Sequence, residues 1–222
     1  MAMSFDTLSL EPATTVDRVT DEMRRALFEG EVGPGTPLRE VALADSLGVA
    51  RSTIREALAA LVAEGLADRV AHKGTVVRSL DVGAVRDVCA ARLVLESAGV
   101  RAWADAGEDA RAGCRAALDA FAALARDSVT SVADLTAAHL GIHHAIVALT
   151  GSERIVAAAD SLYAEIRLAL ASVDRIRRNA VEQIDTHTRL IELLESGDVD
   201  ATIAELRDHI GDGEQSMIDT LG

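Results

Sequence analysis

The sequence is poor in aromatic residues: its 222 residues include one Trp, one Tyr and three Phe. Strands favour aromatic and β-branched side chains, so an extensive sheet is not expected. Hydrophobic residues nevertheless make up 49% of the chain, and alanine is abundant among them. Because alanine has the highest helix propensity, this composition predicts a mainly α protein of closely packed helices. The length allows two modest domains.

Cysteine and long apolar runs are also scarce. Cys89 and Cys114 show no paired metal-ligand spacing such as C-x-x-C, and we interpret both as small buried hydrophobic side chains. No apolar run approaches the roughly 20 residues that a membrane span needs. The N-terminus lacks the basic and then apolar pattern of a secretion signal. We therefore expect a cytoplasmic protein without a membrane segment.

The net charge of −14 argues at first against nucleic acid as a partner. The charge is uneven, however. Residues 1–78 carry a net charge of −3, and residues 79–222 carry −11. Binding to DNA needs a local basic surface rather than a basic average. The N-terminal third can supply such a surface from Arg39, Arg51, Arg55, Arg69, Lys73 and Arg78.

Residues 38–66 have the pattern of two short helices joined by a tight turn. Gly48 interrupts the apolar periodicity between them, and Gly65 ends the second run. Helix, glycine-containing turn and helix form the helix-turn-helix signature, whose second helix enters the major groove. The residues expected to be buried are Leu38, Val41, Ala42, Ala44, Leu47, Ile54, Ala57, Leu58, Leu61 and Val62.

Arg51 and Arg55 are four residues apart and share the outward face of the second helix, beside Ser52 and Thr53. Arginine is the commonest reader of guanine, and short hydroxyls reach bases or phosphates. Spacing alone fits an ordinary amphipathic helix with solvated arginines equally well. Residues 69–77 predict two short strands around a turn, which can either contact DNA or simply cap the domain.

The segment PGTPLREVALADSLGVARSTIREALAALVAEGLADRVAHKGTVV resembles the winged helix-turn-helix of the GntR family of bacterial transcription regulators. Two departures are visible: Ala50 stands where the family usually has serine, and Ser52-Thr53-Ile54 replaces Thr-Pro-Val. The first removes an expected N-cap. The resemblance implies DNA contacts by the recognition helix and by the wing tip. The implied residues are Arg39, Arg51, Ser52, Thr53, Arg55, His72, Lys73 and Gly74.

The chain divides into four predicted parts. Residues 1–12 read as a flexible tail, 13–78 as the DNA-binding domain with a first helix near 14–29, and 79–81 as a linker. Residues 82–222 read as helix throughout and predict an antiparallel helical bundle for effector binding and dimerisation. Its helices are expected near 82–105, 108–126, 131–149, 152–176, 179–196 and 199–219.

The chain has six histidines, three of them close together in the sequence. His139 and His143 are four residues apart, so both imidazoles project from one helix face and can bind one metal ion. His144 points elsewhere. Such a pair is a weak signal by itself, because ordinary core or surface histidines also produce it.

Residues 82–218 resemble the FCD effector domain of the FadR subfamily. The resemblance is carried by VRDVCAARLVLESAGVRAWAD, HLGIHHAIVALTGSERI and IDTHTRLIELLESGDVDATIAELRDHI. Many FCD domains hold a divalent metal with one Asp and three His. By position, His143, His187 and His209 are the three histidines, and His139 stands in place of the Asp. Four imidazoles favour borderline ions, of which Zn and Ni are the expected ones.

The same resemblance implies a small carboxylate effector. Arg92 matches the arginine of the family's opening helix, where its guanidinium can bind a carboxylate in fork geometry. Arg92 with Glu96 four residues on is also explained by a plain ion pair. Tyr163 and Arg167 are weaker effector-binding candidates.

The leading hypothesis is a homodimeric regulator, a repressor, that binds double-stranded operator DNA and responds to an organic acid. One alternative makes the metal itself the effector. A second, a metal-dependent hydrolase, lacks a fixed general base such as that of H-E-x-x-H. We therefore expect that the chain is not an enzyme.

Overall fold

The structure, a computed structural model, describes residues 13–127, 129–171 and 180–221. The predicted tail at 1–12 lies outside the described residues, as does the last part of the helix predicted at 152–176. Within the described part, the chain is mainly α with one small sheet, so the predicted fold class is confirmed.

The N-terminal domain is a winged helix-turn-helix. Its elements are α1 (Thr15–Phe28), α2 (Glu40–Leu47), α3 (Arg51–Ala63), β1 (Ala67–Val70) and β2 (Gly74–Val77). Thr14 and Asp17 form a complete capping box at the start of α1. Gly48 takes the left-handed conformation, with φ of 66°, and ends α2. The turn that the sequence predicts between the two helices is therefore present.

The two strands pair antiparallel, with Ala67 opposite Val77 and Val70 opposite Gly74. This register leaves three residues, 71–73, at the tip of the wing. His72 has a φ of 65°, which is unusual for a residue with a side chain. The short loop of a two-stranded hairpin requires a left-handed residue of this kind.

The core of this domain confirms the burial predicted for α3 but not for α2. Ile54, Ala57, Leu58 and Leu61 are all buried. Val41 and Leu47 are exposed, with 52% and 37% of their surface accessible, so their predicted burial is wrong. The reason is that α2 has only eight residues, and Ala44 is its one buried side chain. Leu43 is half-buried and packs against this core, Ala42 is exposed, and Val62 of α3 is half-buried.

The C-terminal domain is a bundle of six helices within the described residues. They are α4 (Val82–Ala102), α5 (Glu108–Ala125), α6 (Val132–Ala148), α7 (Glu153–Leu170), α8 (Ala180–Ser196) and α9 (Val199–Leu221). The helices pack around one apolar core, whose largest fully buried side chain is Phe121. None of the described helices is long and apolar enough to span a bilayer.

Gly99 lets α4 and α6 approach each other closely. A Cβ at Gly99 would overlap the carbonyl oxygen of Ile146 and stand 2.7 Å from its carbonyl carbon. Gly99 lies three residues after Glu96, and Ile146 lies three residues after His143. The glycine therefore sets the spacing of the two helices next to the polar side chains described below.

Candidate nucleic-acid surface and metal centre

The N-terminus of α3 presents its polar residues to solvent. Arg51 and Arg55 are 61% and 59% exposed, and Ser52 is exposed beside them. Thr53 is half-buried, and Ile54, on the opposite face, is completely buried. Ala50 provides no side-chain cap for α3, as expected from the replacement of serine. The helix therefore presents two solvent-exposed guanidinium groups next to a hydroxyl.

Glu40, a residue that the sequence analysis did not single out, holds both arginines. Its carboxylate accepts hydrogen bonds from Nε and Nη2 of Arg55 at 3.2 and 2.9 Å, and Nη2 of Arg51 lies 3.7 Å away. The hydrogen bonds from Arg55 lower the pKa of Glu40, and Glu40 raises the pKa of Arg55. The carboxylate keeps the two guanidinium groups side by side.

A groove of about 600 Å³ runs between α3 and the wing. Its cationic lining is supplied by Arg39, Arg51, Arg55, Arg69 and Lys73, with Gly74 beside them. His72 lies on the exposed wing turn and does not line the groove. Five of the eight predicted DNA-contacting residues therefore line this groove, namely Arg39, Arg51, Arg55, Lys73 and Gly74.

Arg78 does not belong to this basic surface, contrary to the expectation from sequence. Its guanidinium donates to Asp68 at 2.9 and 3.2 Å and pairs with Glu165 of α7 at 2.9 Å. Because Arg78 follows β2 directly, it points towards the helical domain rather than along the wing. It ties the two domains together instead of facing a duplex.

Four histidines from three helices converge in the core of the bundle. His139 and His143 come from α6, His187 from α8 and His209 from α9. Nε2 of His187 lies 3.0 Å from that of His139 and 3.1 Å from that of His143, and Nε2 of His209 lies 3.2 Å from that of His143. All four donor atoms lie within 4.8 Å of one another. His144 is excluded, since it faces Asp160 on the surface.

The hydrogen bonds on the far side of two rings fix their tautomers. Nδ1 of His143 lies 2.8 Å from Oε2 of Glu96, and Nδ1 of His187 lies 2.6 Å from the carbonyl oxygen of Gln183. Both oxygens are acceptors, so each Nδ1 donates, and each neutral ring presents a lone pair at Nε2. Two lone pairs that face each other at 3.1 Å share no proton. Such an arrangement is what a cation between imidazoles requires.

Burial keeps the cluster neutral. Desolvation is the largest cause that lowers the pKa of all four histidines, and the pKa of His187 falls to about 4. Neutral imidazole is the ligating form. Zinc–nitrogen bonds of about 2.0–2.1 Å place tetrahedral ligands about 3.4 Å apart, close to the observed separations. The residues present therefore fit a borderline divalent ion.

Glu96 is hydrogen-bonded to three polar side chains behind the histidine cluster. Besides His143, its carboxylate accepts from Nε of Arg92 at 2.9 Å and from the hydroxyl of Tyr163 at 3.1 Å. Arg92, Glu96 and Tyr163 are all buried. Burial of this kind is tolerated because the charges are paired and hydrogen-bonded. The plain ion pair of Arg92 with Glu96 is therefore present, and the effector-binding role of Arg92 stays a prediction.

A cavity of about 310 Å³ adjoins the four histidines. Arg92, His139 and His209 line it, and Leu170 and Met217 form part of its apolar wall. Nη2 of Arg92 is buried and has no hydrogen-bond partner among the described residues. An unpaired guanidinium nitrogen beside a cavity is a recognition group for an anion.

Tyr163 and Arg167 are not part of that cavity. Both line a different cleft, of about 390 Å³, between the helical domain and the winged domain. The guanidinium carbon of Arg167 lies 3.8 Å from the ring centroid of Phe28 in α1. Neither residue therefore lines the cavity that Arg92 lines, although all three were grouped by sequence. Tyr163 still lies against Arg92, whose guanidinium carbon is 5.7 Å from the centroid of the tyrosine ring.

Sequence reasoning missed Glu40, Gln183 and Gly99. A glycine inside a helix costs roughly 1 kcal/mol relative to alanine, so Gly99 carried a detectable sign of a packing role. Gln183 contributes only its backbone carbonyl, for which no side-chain pattern exists. Glu40 matches the family's motif, but local spacing gave no sign of its pairing, because its partners lie in the next helix.

Comparisons with known proteins agree with this architecture. Residues 15–77 match the family model described as bacterial regulatory proteins, gntR family, and residues 87–212 match the FCD domain. Over 203 residues the chain is 27% identical to a protein of Paenarthrobacter nicotinovorans described as a D-xylose utilization operon transcriptional repressor, covering 90% of this chain and 88% of that protein.

Two further matches also extend over most of both proteins. The Nta operon transcriptional regulator of Aminobacter aminovorans is 29% identical over 185 residues, which is 80% of this chain and 82% of that protein. The crystal structure of a GntR transcriptional regulator from Rhodococcus sp. RHA1 superposes with a TM-score of 0.78 at 25% identity. It covers 92% of this chain and 97% of that one.

Proposed function

Because the chain belongs to the gntR family of bacterial regulatory proteins and carries an FCD domain, we propose that it is a metal-containing repressor whose operator affinity is set by a small carboxylate. That it is a DNA-binding transcription regulator follows from the family, and its domains and relatives are regulators rather than enzymes. The metal, the effector, the dimer and the residues that serve them belong to the proposal.

The proposed operator contact uses the groove between α3 and the wing. Arg51 and Arg55 supply base-reading guanidinium groups, and Ser52 and Thr53 reach bases or phosphates. Arg39, His72, Lys73 and Gly74 are the proposed contacts to the phosphate backbone. The chain acts as a homodimer, because a two-fold operator mirrors a two-fold protein.

The proposed response to metal and carboxylate rests on one observation: His139, His143, His187 and His209 converge next to the unpaired Nη2 of Arg92. Four neutral imidazoles would hold Zn or Ni, and a bound ion would supply positive charge at the cavity. Arg92 adds a second positive group, fixed in place by Glu96. A carboxylate in the cavity would meet both, and its binding would shift the population of winged-domain positions.

A second candidate function is favoured by the number of histidines. Four imidazoles fill a tetrahedral ion completely and leave it no open position. A regulator built this way would respond to the ion itself, with the cavity playing no part in the response. Nickel, which accepts more ligands, would leave room for a carboxylate oxygen.

The operator contact is tested by gel-shift titration with a duplex selected by the wild-type protein from a random-sequence pool. We expect Arg51→Ala and Arg55→Ala each to lower affinity by about tenfold or more. Arg86→Ala is the matched control, since Arg86 is a 65% exposed arginine outside the groove. Wild-type affinity in both groove variants would refute the assigned recognition face. Sedimentation of the same samples gives the oligomeric state.

The regulatory half is tested by metal analysis of the purified protein and of two variants. His143→Ala is expected to lose the ion, while His144→Ala, its neighbour outside the cluster, keeps it. Operator affinity is then measured with added zinc or nickel, and with a panel of small mono- and dicarboxylates. A response to carboxylate supports the first function, and a response to the ion alone supports the second. An intact ion in His143→Ala rules out the site.

A further inference from the structure

Tyr163 connects the polar network of the histidine cluster to another helix. It is the single tyrosine of the chain, lies on α7, and is 6% exposed. Its hydroxyl donates to Oε1 of Glu96, the same carboxylate whose other oxygen accepts from His143. Any displacement of His143 or Glu96 that accompanies ligation therefore acts on the hydroxyl of Tyr163.

The same helix is attached to the winged domain about one turn later. Arg167, four residues after Tyr163, stacks over the ring of Phe28 in α1. Glu165 pairs with Arg78 at 2.9 Å, and Arg78 is held by Asp68 of the wing. Leu168 is buried in the core of the winged domain rather than in that of the bundle.

The end of α7 also packs closely against the backbone that follows α1. A Cβ on Gly30, just after α1, would stand 2.8 Å from the carbonyl oxygen of Ala171. The two helix ends therefore touch through main-chain atoms. Packed backbones of this kind transmit a shift rather than absorb it.

A second polar contact joins α6 to α7, and it differs in environment. His144 faces Asp160 at 3.2 Å, with the two side chains 41% and 59% exposed. Exposed pairs contribute little energy and rearrange easily. Among the described residues, the hydrogen bond from Tyr163 is the one buried polar link from the histidine network to α7.

We infer that Tyr163 is a positioning residue, which transmits the occupancy of the histidine cluster through α7 to α1 and the wing. The inference rests on the proposed metal site and adds the element that carries its signal. It also changes the role of two residues: Tyr163 and Arg167 act in the coupling between domains and do not contact the effector. Coupling of this kind requires an element that both sites bias, and α7 touches both.

The experiment is amide hydrogen exchange of the full-length protein with and without saturating zinc, which needs no known operator. In the wild type, zinc is expected to slow exchange in α6 and α8 and to change exchange in α1 by about fivefold or more. Tyr163→Phe removes only the hydroxyl and should keep the response of α6 while losing that of α1. Asp160→Ala, which removes the exposed contact between α6 and α7, should retain both.

Arg167→Lys tests the other end of the connection. It keeps the charge but loses the planar stacking on Phe28, so α1 should again stop responding while α6 still does. This variant also decides the question if Tyr163→Phe fails to fold. An α1 response that persists in Tyr163→Phe, or in Arg167→Lys should Tyr163→Phe not fold, overturns the inference.

The wild type separates this inference from the function on which it rests. If zinc slows exchange in α6 and α8 but leaves α1 unchanged, the metal site stands and the coupling through α7 is wrong. If zinc changes neither α6 nor α8, the proposed metal site is wrong and the coupling falls with it.

Discussion

The chain contains the same pair of residues, an arginine and a glutamate, in two opposite environments. Arg55 and Glu40 lie on the winged domain with 59% and 32% of their side chains exposed, whereas Arg92 and Glu96 in the bundle are 6% and 0% exposed. Both pairs have a closest approach of 2.9 Å. Equal geometry therefore does not imply equal energy, because water screens the first pair and is absent from the second.

The difference suits the two tasks. An exposed guanidinium can leave its carboxylate for a base or a phosphate at little cost. A buried carboxylate that also holds a histidine and a tyrosine cannot exchange partners without leaving a charge unpaired. The winged domain thus keeps its polar groups available, and the bundle keeps its polar groups fixed. Each prediction below either widens this contrast or would remove it.

The largest effect is expected from Glu96→Ala. The variant leaves the guanidinium of Arg92 buried without its carboxylate and should lower the free energy of unfolding by about 3–5 kcal/mol. Glu195→Ala is the matched control, because Glu195 pairs with Arg115 on the bundle surface and should cost about 1 kcal/mol or less. Urea denaturation of both proteins, metal-free, gives the comparison. Equal losses would show that burial is not what distinguishes the pairs.

A glycine pair makes the next comparison. Gly99→Ala should lower the free energy of unfolding by about 3 kcal/mol, since the new methyl group overlaps the backbone of α6. Gly113→Ala, inside α5 with nothing within 4 Å of its missing Cβ, should instead stabilise by about 0.5–1 kcal/mol. Thermal unfolding distinguishes them by sign. A neutral Gly99→Ala would mean that the approach of α4 to α6 is not needed to place Glu96 against His143.

Local spacing in the sequence indicates the exposed surface but not the buried cluster, for a physical reason. A recognition helix is encoded locally: Arg51 and Arg55 share a face because helical period alone puts them there. The histidines of the cluster lie on three helices, with 44 to 66 residues between some of the partners. No local pattern brings such positions together, so only the family resemblance could collect them.

Local periodicity also has limits inside the winged domain. It predicted that Val41 and Leu47 would be buried, but the eight residues of α2 bury only Ala44 and half-bury Leu43. The charge distribution placed Arg78 among the cations of the basic surface, although the structure directs this arginine to Glu165. Both errors arise where tertiary contacts, and not the period of the helix, decide the direction of a side chain.

The pH dependence of the metal-free protein sharpens the contrast further. The folded pKa of each clustered histidine lies below its unfolded value near 6.5, reaching about 4 for His187, mainly through burial. The unfolded chain therefore binds more protons in this window. The stability that depends on neutral histidines is fully present above about pH 6.5 and is lost as the pH falls towards 4. Each histidine that remains neutral in the folded state lowers the folding equilibrium constant by about tenfold per pH unit in this range.

Chelator-treated protein should accordingly show a falling urea midpoint between pH 7 and pH 5. His187→Gln should flatten this dependence, because it removes one of the four buried imidazoles. A midpoint that does not move with pH would mean that the four rings are solvated rather than buried.

The smallest effect, and the sharpest test of the exposed pair, is expected from Glu40→Gln. Removing the negative charge frees Arg51 and Arg55 from their shared carboxylate, so affinity for random-sequence DNA should rise by a few-fold at low salt. Affinity for the selected duplex should rise less, because Glu40 also aligns the two guanidinium groups for base reading. Filter-binding titrations at two salt concentrations measure the ratio of the affinity for the selected duplex to the affinity for random-sequence DNA. If Glu40→Gln leaves that ratio unchanged, the carboxylate merely neutralises the arginines; if the ratio falls, an exposed ion pair of small energy sets the specificity of the regulator by geometry.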